Sequence, residues 1–459
     1  MALAPFVWEQ SLSSSLGITV SQQRFVLALF ASIPLGSVQR LIKSPTGQHL
    51  YASIVGFFLV FLPFGSGCWH AIIPSLATYL CMKFCPQRSA LVGWVITFPY
   101  LLVLHVANAS GASWQEGQMD FTGAQMLLVL KLISVAHCCQ DAHSGKVLNE
   151  YQKAKAIYRC PTLLELAAYL FCNGTLLAGP HFEFKDYMDY VHREGVWKHS
   201  IPFSIVSVLQ PFVQGVMLMG AYVYLSPIYQ FRVYNTAAFL NAGLLSRYGQ
   251  NWILAITARM RYYFVWSIAE AGMNASGLGY SGVPEGKKNG EPNHEWMRGQ
   301  NVRILRVEMA DSFTLVATHW NIGTGNFLRR YVYDRLTPPG KKPAFTTLLM
   351  TQLVSGVWHG LYPGYWLFFI TTAICVNTAR VIHRQVRTFS PMIQNIMVVP
   401  KTLFTSITLA YAAASFEVLE LRGCFNVWSN MYFIPHIICV VILVAGQLLP
   451  ASKPKAKSQ

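Results

Sequence analysis

Long apolar runs recur along this chain at intervals that leave little polar sequence between them. Twelve stretches stand out, near 24–41, 51–67, 69–85, 89–107, 122–140, 162–178, 203–226, 252–270, 345–360, 362–382, 398–416 and 428–449. Most match the ~17–25 residues that a membrane-crossing helix needs. Lipid offers backbone N–H and C=O groups no partners, so helices are the expected form. Stretches 162–178 and 345–360 are short or interrupted by glycine. No internal repeat of fixed period is visible.

Charge between the runs gives an orientation. Odd-numbered loops carry the basic residues: Arg40 and Lys43, then Lys83 and Arg88, then Lys146, Lys153, Lys155 and Arg159. The second and fourth loops carry none, and the fourth holds the glycosylation sequon Asn108-Ala109-Ser110. Odd loops therefore read as cytoplasmic and even loops as lumenal. Residues 1–23 then begin in the lumen, and the basic tail 451–459 reads as cytosolic. Lys457 and Lys455 in that tail resemble a dilysine signal for the endoplasmic reticulum, or meet anionic lipid. A lumenal start and cytosolic end need an odd number of crossings. The fold class expected is an all-α polytopic membrane protein forming one domain over 1–459, with about eleven spans plus re-entrant or interfacial helices. Its first basic residue is Arg24, so the first span reads as a retained anchor rather than a cleaved signal.

The longest polar region, 283–344, holds ten Lys or Arg and six Asp or Glu, and faces the cytosol in this scheme. Its first half reads as loop. Its second half, WNIGTGNFLRRYVYDRL, predicts an interfacial amphipathic helix with Leu328, Val332 and Leu336 as the apolar stripe.

Composition supports the membrane reading. Hydrophobic residues make up 53% of the 459 and charged residues only 12%, against about 25% in soluble domains. The net charge of +16 is scattered between apolar stretches, which argues against nucleic-acid binding. The ten cysteines show no CxxC pair and read as a reduced, mostly buried set.

Chemistry concentrates around His359 in QLVSGVWHGLYPGYWLFF. On a helix, Gln352, Ser355 and His359 share one face, and such a polar stripe should look into a bundle or wet cavity. Burial should lower the imidazole pKa below about 6.5 and leave the ring able to accept a proton. The alternative is a structural histidine bridging two helices. Asn321, in THWNIGTG, reads as a helix N-cap or as an amide that steadies an oxyanion or the attacking hydroxyl. HFEFKD matches the H-x4-D dyad of soluble-type acyltransferases, but Glu194-Gly195 follows too soon to be that family's phosphate element. The run HCCQDAH, His137 to His143, suits a polar helix end better than a metal site, and no metal is expected. Serine-hydrolase, Walker and dinucleotide fingerprints are absent from the sequence.

Read together, WNIGTGNFLRRYVYDRL and QLVSGVWHGLYPGYWLFF resemble the core of the membrane-bound O-acyltransferase family. The pair WN-x5-[WF]-L-R-x-Y-V-Y and WHG-x-x-PGY is similar to its lysophospholipid acyltransferase branch, most of all the plant and algal type. LLAGPHFEFKDYMDY (176–190) and SGLGYSG (276–282) fit as well, with Glu183 standing where Ser is expected. The resemblance covers roughly 120–450 and implies a helical bundle enclosing a catalytic chamber. It implies acyl transfer from acyl-CoA, a co-substrate rather than a cofactor, to a lysophospholipid such as lysophosphatidylcholine. The family's essential histidine falls on His359 and its polar partner on Asn321. Trp320, Gln352, Ser355, Trp358 and Tyr333 are candidate substrate contacts. Arg329, Arg330, Lys287 and Lys288 are candidates for the polyanionic acyl donor, or else solvated interfacial charges. A sterol, diacylglycerol or peptide acceptor stays open, as does a transporter, which fits broken helices but should show repeat symmetry.

Overall fold

In the computed structural model, described for residues 4–199, 201–284, 294–337, 340–341 and 343–448, the chain is helical nearly throughout. Among the described residues the one extended pairing is an isolated bridge between Gly282 and Glu295. Among the described residues six helices are long and apolar enough to cross a bilayer: Pro45–Phe84, Pro86–Ala107, Thr122–His143, Ile205–Leu225, Pro363–Val386 and Pro391–Val418. Two sharply bent pairs, Val7–Leu16 with Val20–Leu41 and Leu421–Asn430 with Ile434–Leu448, bring the number up to eight if each is one span. Twelve apolar stretches give fewer long helices for physical reasons. Stretches 51–67 and 69–85 run together through a 3₁₀ turn at Gly65–Ala71. Phe345–His359 has only 15 residues. Stretch 162–178 is broken, as its glycine suggested.

The chain divides into two compact units. The first comprises residues 1–219, 262–302 and 321–331. Its core is Thr122–His143, which is buried on nearly all sides, whereas Ile205–Leu225 turns most of its apolar surface outward. Pro45–Phe64 packs on both Val20–Leu41 and Leu163–Phe171. Gly56 permits the second contact, because a Cβ there would overlap the Phe171 carbonyl oxygen. A capping box from Thr162 and Glu165 starts Leu163–Phe171. The helix stops at Asn173 and Gly174, both left-handed. Such a break strands main-chain carbonyls. Lys131, wholly buried, reaches across from Thr122–His143 and donates to the Tyr169 and Leu170 carbonyls at 2.8 and 2.9 Å. Its third bond goes to Thr175 Oγ1 at 2.7 Å.

The second unit comprises residues 220–261, 303–320 and 332–459. Phe345–His359 and Pro363–Val386 form a helical hairpin, and Pro363–Val386 packs on Val398–Val418. Pro363 opens its helix, where a missing N–H costs nothing. Gly364 lets that helix start touch Val398–Val418: a Cβ would overlap the Ser415 carbonyl oxygen, and the Gly364 N–H donates to the Leu419 carbonyl at 2.7 Å. A core of Tyr234, Phe239, Leu254, Tyr411, Trp428 and Met431 closes beside it.

Candidate active site

Asn321 opens the helix beginning at Ile322 with a left-handed backbone, φ 47° and ψ 56°. Asparagine tolerates that conformation better than most residues, yet it costs on the order of 1–3 kcal/mol. The side chain makes no capping bond, so the N-cap alternative is not how the amide is used. Instead Asn321 Oδ1 accepts from Asn301 Nδ2 at 3.2 Å. Asn301 also takes the Gly323 N–H on its Oδ1, at 2.9 Å, and the Ile322 N–H on its carbonyl, at 2.8 Å. Sequence pattern did not single out Asn301, since nothing in WMRGQN marks a functional amide.

The NIGTGN turn lies against the GPHFEF segment. A Cβ on Gly323 would come within 2.7 Å of the His181 main-chain nitrogen, so glycine sets that approach. The two segments, with Leu278 of SGLGYSG, line a cavity of about 170 Å³. Arg298, Asn326 and Arg330 reach into its wall beside Glu183. Three of the four motif stretches thus meet in one place within the first unit.

Glu183, the departure from the expected serine, has a defined setting. It is buried and accepts from the hydroxyls of Tyr151 and Tyr331, each at 2.7 Å. Arg330 lies 3.5 Å from it and stacks over the Tyr151 ring at 4.1 Å. Burial raises the Glu183 carboxyl pKa above the ordinary carboxylate value, with the two tyrosine bonds and Arg330 pulling the other way. Arg330 is therefore a paired, half-buried group rather than a solvated interfacial charge, whereas Arg329 is exposed.

Of the expected stripe Leu328, Val332 and Leu336, Val332 is buried and Leu328 half-buried, but Leu336 is not covered. Gly323, Phe327 and Tyr331 take the buried row, and Leu336 is 49% exposed. A π turn at Arg329–Tyr333 widens the helix where both Tyr331 and Val332 are buried.

The H-x4-D pattern does not form a dyad. His181 bonds to Ser134 Oγ at 3.1 Å, and Asp186 pairs with Lys155 and Arg298 at 2.8 and 3.0 Å. Burial, helped by Lys131 and Arg330, pushes the His181 ring down to about 3. In HCCQDAH, His137 accepts from Trp94 Nε1 at 3.0 Å and Cys138 Sγ lies 3.3 Å from Tyr331 Oη. Among the described residues one group brings three metal-type ligand atoms together, His49, Glu165 and His192, and it includes none of that run. Its Glu165 is engaged by Arg159 and by its own capping box.

In the second unit His359 ends Phe345–His359, with Gly360 following at φ 126°. The ring is half-buried among aromatics. Trp358 lies 4.7 Å away, Phe416 5.0 Å, Phe369 5.3 Å in a stacked geometry, and Tyr365 5.7 Å. Ser355 and Trp358 are buried, and Gln352 is half-buried. The buried polar row is Thr347, Thr351 and Ser355, four residues apart, and His359 is its next member. Gln352 stands beside that row rather than in it, and the two threonines were missed because their methyls read as apolar filler. Trp320 is half-buried at the end of Phe313–His319, and the Tyr333 hydroxyl accepts from Arg380 at 3.3 Å. Lys287, Lys288 and the tail 451–459 lie outside the described residues.

The pattern of the membrane-bound O-acyltransferase family matches residues 91–413. Lysophospholipid acyltransferase 1 of Arabidopsis thaliana is 37% identical, over 98% of this chain and 99% of its own. Lysophospholipid acyltransferase 2 of the same plant is 35% identical over 98% of each chain. Lysophospholipid acyltransferase of Schizosaccharomyces pombe is 29% identical, over 94% of this chain and 87% of its own. With its apolar helices, its WN and WHG motifs and these matches, the chain belongs to the membrane-bound O-acyltransferase family, as a multi-pass membrane protein.

Proposed function

We propose that this protein transfers the acyl group of an acyl-CoA to the free hydroxyl of a lysophospholipid, with His359 as general base and Asn321 as oxyanion donor. The observation carrying the acceptor class is the 37% identity, across nearly the whole of both chains, to a protein named for lysophospholipid acylation. Neutral His359 takes the hydroxyl proton as the oxygen attacks the thioester carbon. The Asn321 amide donates to the carbonyl oxygen as it gains charge. The C–S bond then breaks, and the imidazolium returns its proton to the departing thiolate, giving CoA thiol and the diacyl lipid. No acyl-enzyme is required. The aromatic walls around His359 suit a desolvated proton transfer.

The same reading places the protein in the endoplasmic reticulum membrane, with CoA arriving from the cytosol. Short apolar helices such as Phe345–His359 would complete about eleven crossings together with a re-entrant segment. Thiol release in purified protein tests the function. Free CoA should appear only when lysophosphatidylcholine or a related lysolipid is added, and not with diacylglycerol or a sterol. Thiol release with a sterol alone would reassign the acceptor, and lipid flux without thiol release would reassign the class.

A further inference from the structure

We propose that Asn301 is a positioning residue that fixes which way the Asn321 amide faces. The inference rests on the part given to Asn321 in acyl transfer. It follows from the donor and acceptor types alone. The main-chain N–H of Gly323 can only donate, so the Asn301 atom facing it at 2.9 Å must be the amide oxygen. The other end of the Asn301 amide is then NH₂. That NH₂ faces Asn321 at 3.2 Å, so the Asn321 atom receiving it must also be oxygen. The Asn321 NH₂ is thereby turned away from Asn301. One unambiguous backbone donor orients two amides in series, leaving Asn321 to offer a donor, as an oxyanion requires, and not an acceptor.

The clamp holds the backbone too. The Asn301 carbonyl takes the Ile322 N–H at 2.8 Å, immediately after the left-handed residue. Asn301 is only 1% exposed, so its amide is fixed from the buried side.

The test is Asn301→Asp, which changes one NH₂ to oxygen at nearly constant volume. As a carboxylate it still accepts from Gly323, but its second oxygen repels Asn321 Oδ1 and turns that amide over. As a neutral acid its O–H donates to Asn321 Oδ1 and restores the original orientation. Burial should raise this new carboxyl above the reference of about 3.9. Turnover of oleoyl-CoA with lysophosphatidylcholine is measured for wild type, Asn301→Asp, Asn321→Ala and the double variant between about pH 8 and about pH 5.5. Taking the ratio to wild type cancels the titration of His359.

At the alkaline end Asn301→Asp should lower kcat by about 10²-fold with KM nearly unchanged, the loss typical of one oxyanion donor. Its ratio to wild type should rise about tenfold or more as the new acid protonates. In the Asn321→Ala background that recovery should vanish. A ratio near one at every pH overturns the inference. So does a deficit that does not change with pH, or a recovery that persists without the Asn321 side chain, since both mean the loop alone was disturbed. Should Asn301→Asp not fold, Asn301→Ala keeps the main-chain carbonyl for Ile322 but removes the amide that faces Asn321. It should show the same kcat loss at all pH values, and wild-type turnover in it overturns the inference. Wild-type turnover in Asn321→Ala instead overturns the part given to Asn321, a separate outcome from a dead Asn321→Ala beside an active Asn301→Asp.

Discussion

Replacing Glu183 by alanine removes the acceptor shared by two tyrosines and the partner of Arg330. Each buried hydroxyl that loses its acceptor costs about 1–3 kcal/mol. Breaking a fully buried ion pair costs about 3–5 kcal/mol, but the Arg330 side chain is 33% exposed and water recovers much of that. Removing the carboxylate also relieves the burial that raises its pKa. The net expectation is about 3 kcal/mol of destabilisation. A long chain melts over a large enthalpy, so this corresponds to a drop in Tm on the order of 5 °C. Twelve tryptophans make intrinsic fluorescence in detergent a suitable readout. Tyr331 and Arg330 lie on the helix that Asn321 opens, so turnover should fall by about tenfold or more through misplacement. Glu183→Gln, which keeps an acceptor, should cost about 1 kcal/mol. An alanine variant with wild-type Tm and kcat would refute the account of this carboxylate.

His181 supplies a pH prediction. Its folded pKa is lowered to about 3 against about 6.5 unfolded, so between these values the unfolded chain binds the extra proton and stability falls as pH falls. The loss should reach about 2 kcal/mol near pH 5, and His181→Gln should flatten the Tm profile in that window; an unchanged slope contradicts this. Among the glycines, Gly364→Ala should displace the Ser415 carbonyl contact and abolish most activity, whereas Gly249→Ala, in open space on a helix, should stabilise by about 0.5–1 kcal/mol. Equal Tm and turnover in the two variants would contradict the close approach at Gly364.

Much of this architecture is legible in the sequence because bilayer physics leaves few choices. Apolar length marked the long helices, and the glycine near 174 marked the break that Lys131 repairs. The polar residues on the helix that ends at His359 were visible in the sequence, although the buried row runs through Thr347 and Thr351 rather than Gln352. Two features were not readable. A π turn leaves no compositional trace, and Phe327 and Tyr331 share with Val332 a burial that the 322–336 stripe did not include. Asn301 and Glu183 act through partners 20 to 148 residues distant in sequence, which local pattern does not reveal.

The central claim is that the His359 imidazole takes the proton from the acceptor hydroxyl. Turnover of acyl-CoA with lysophosphatidylcholine in folded His359→Ala, melting as wild type does, tests it most directly. The account predicts a kcat lower by about 10²–10⁴-fold. Full activity in that variant would contradict it.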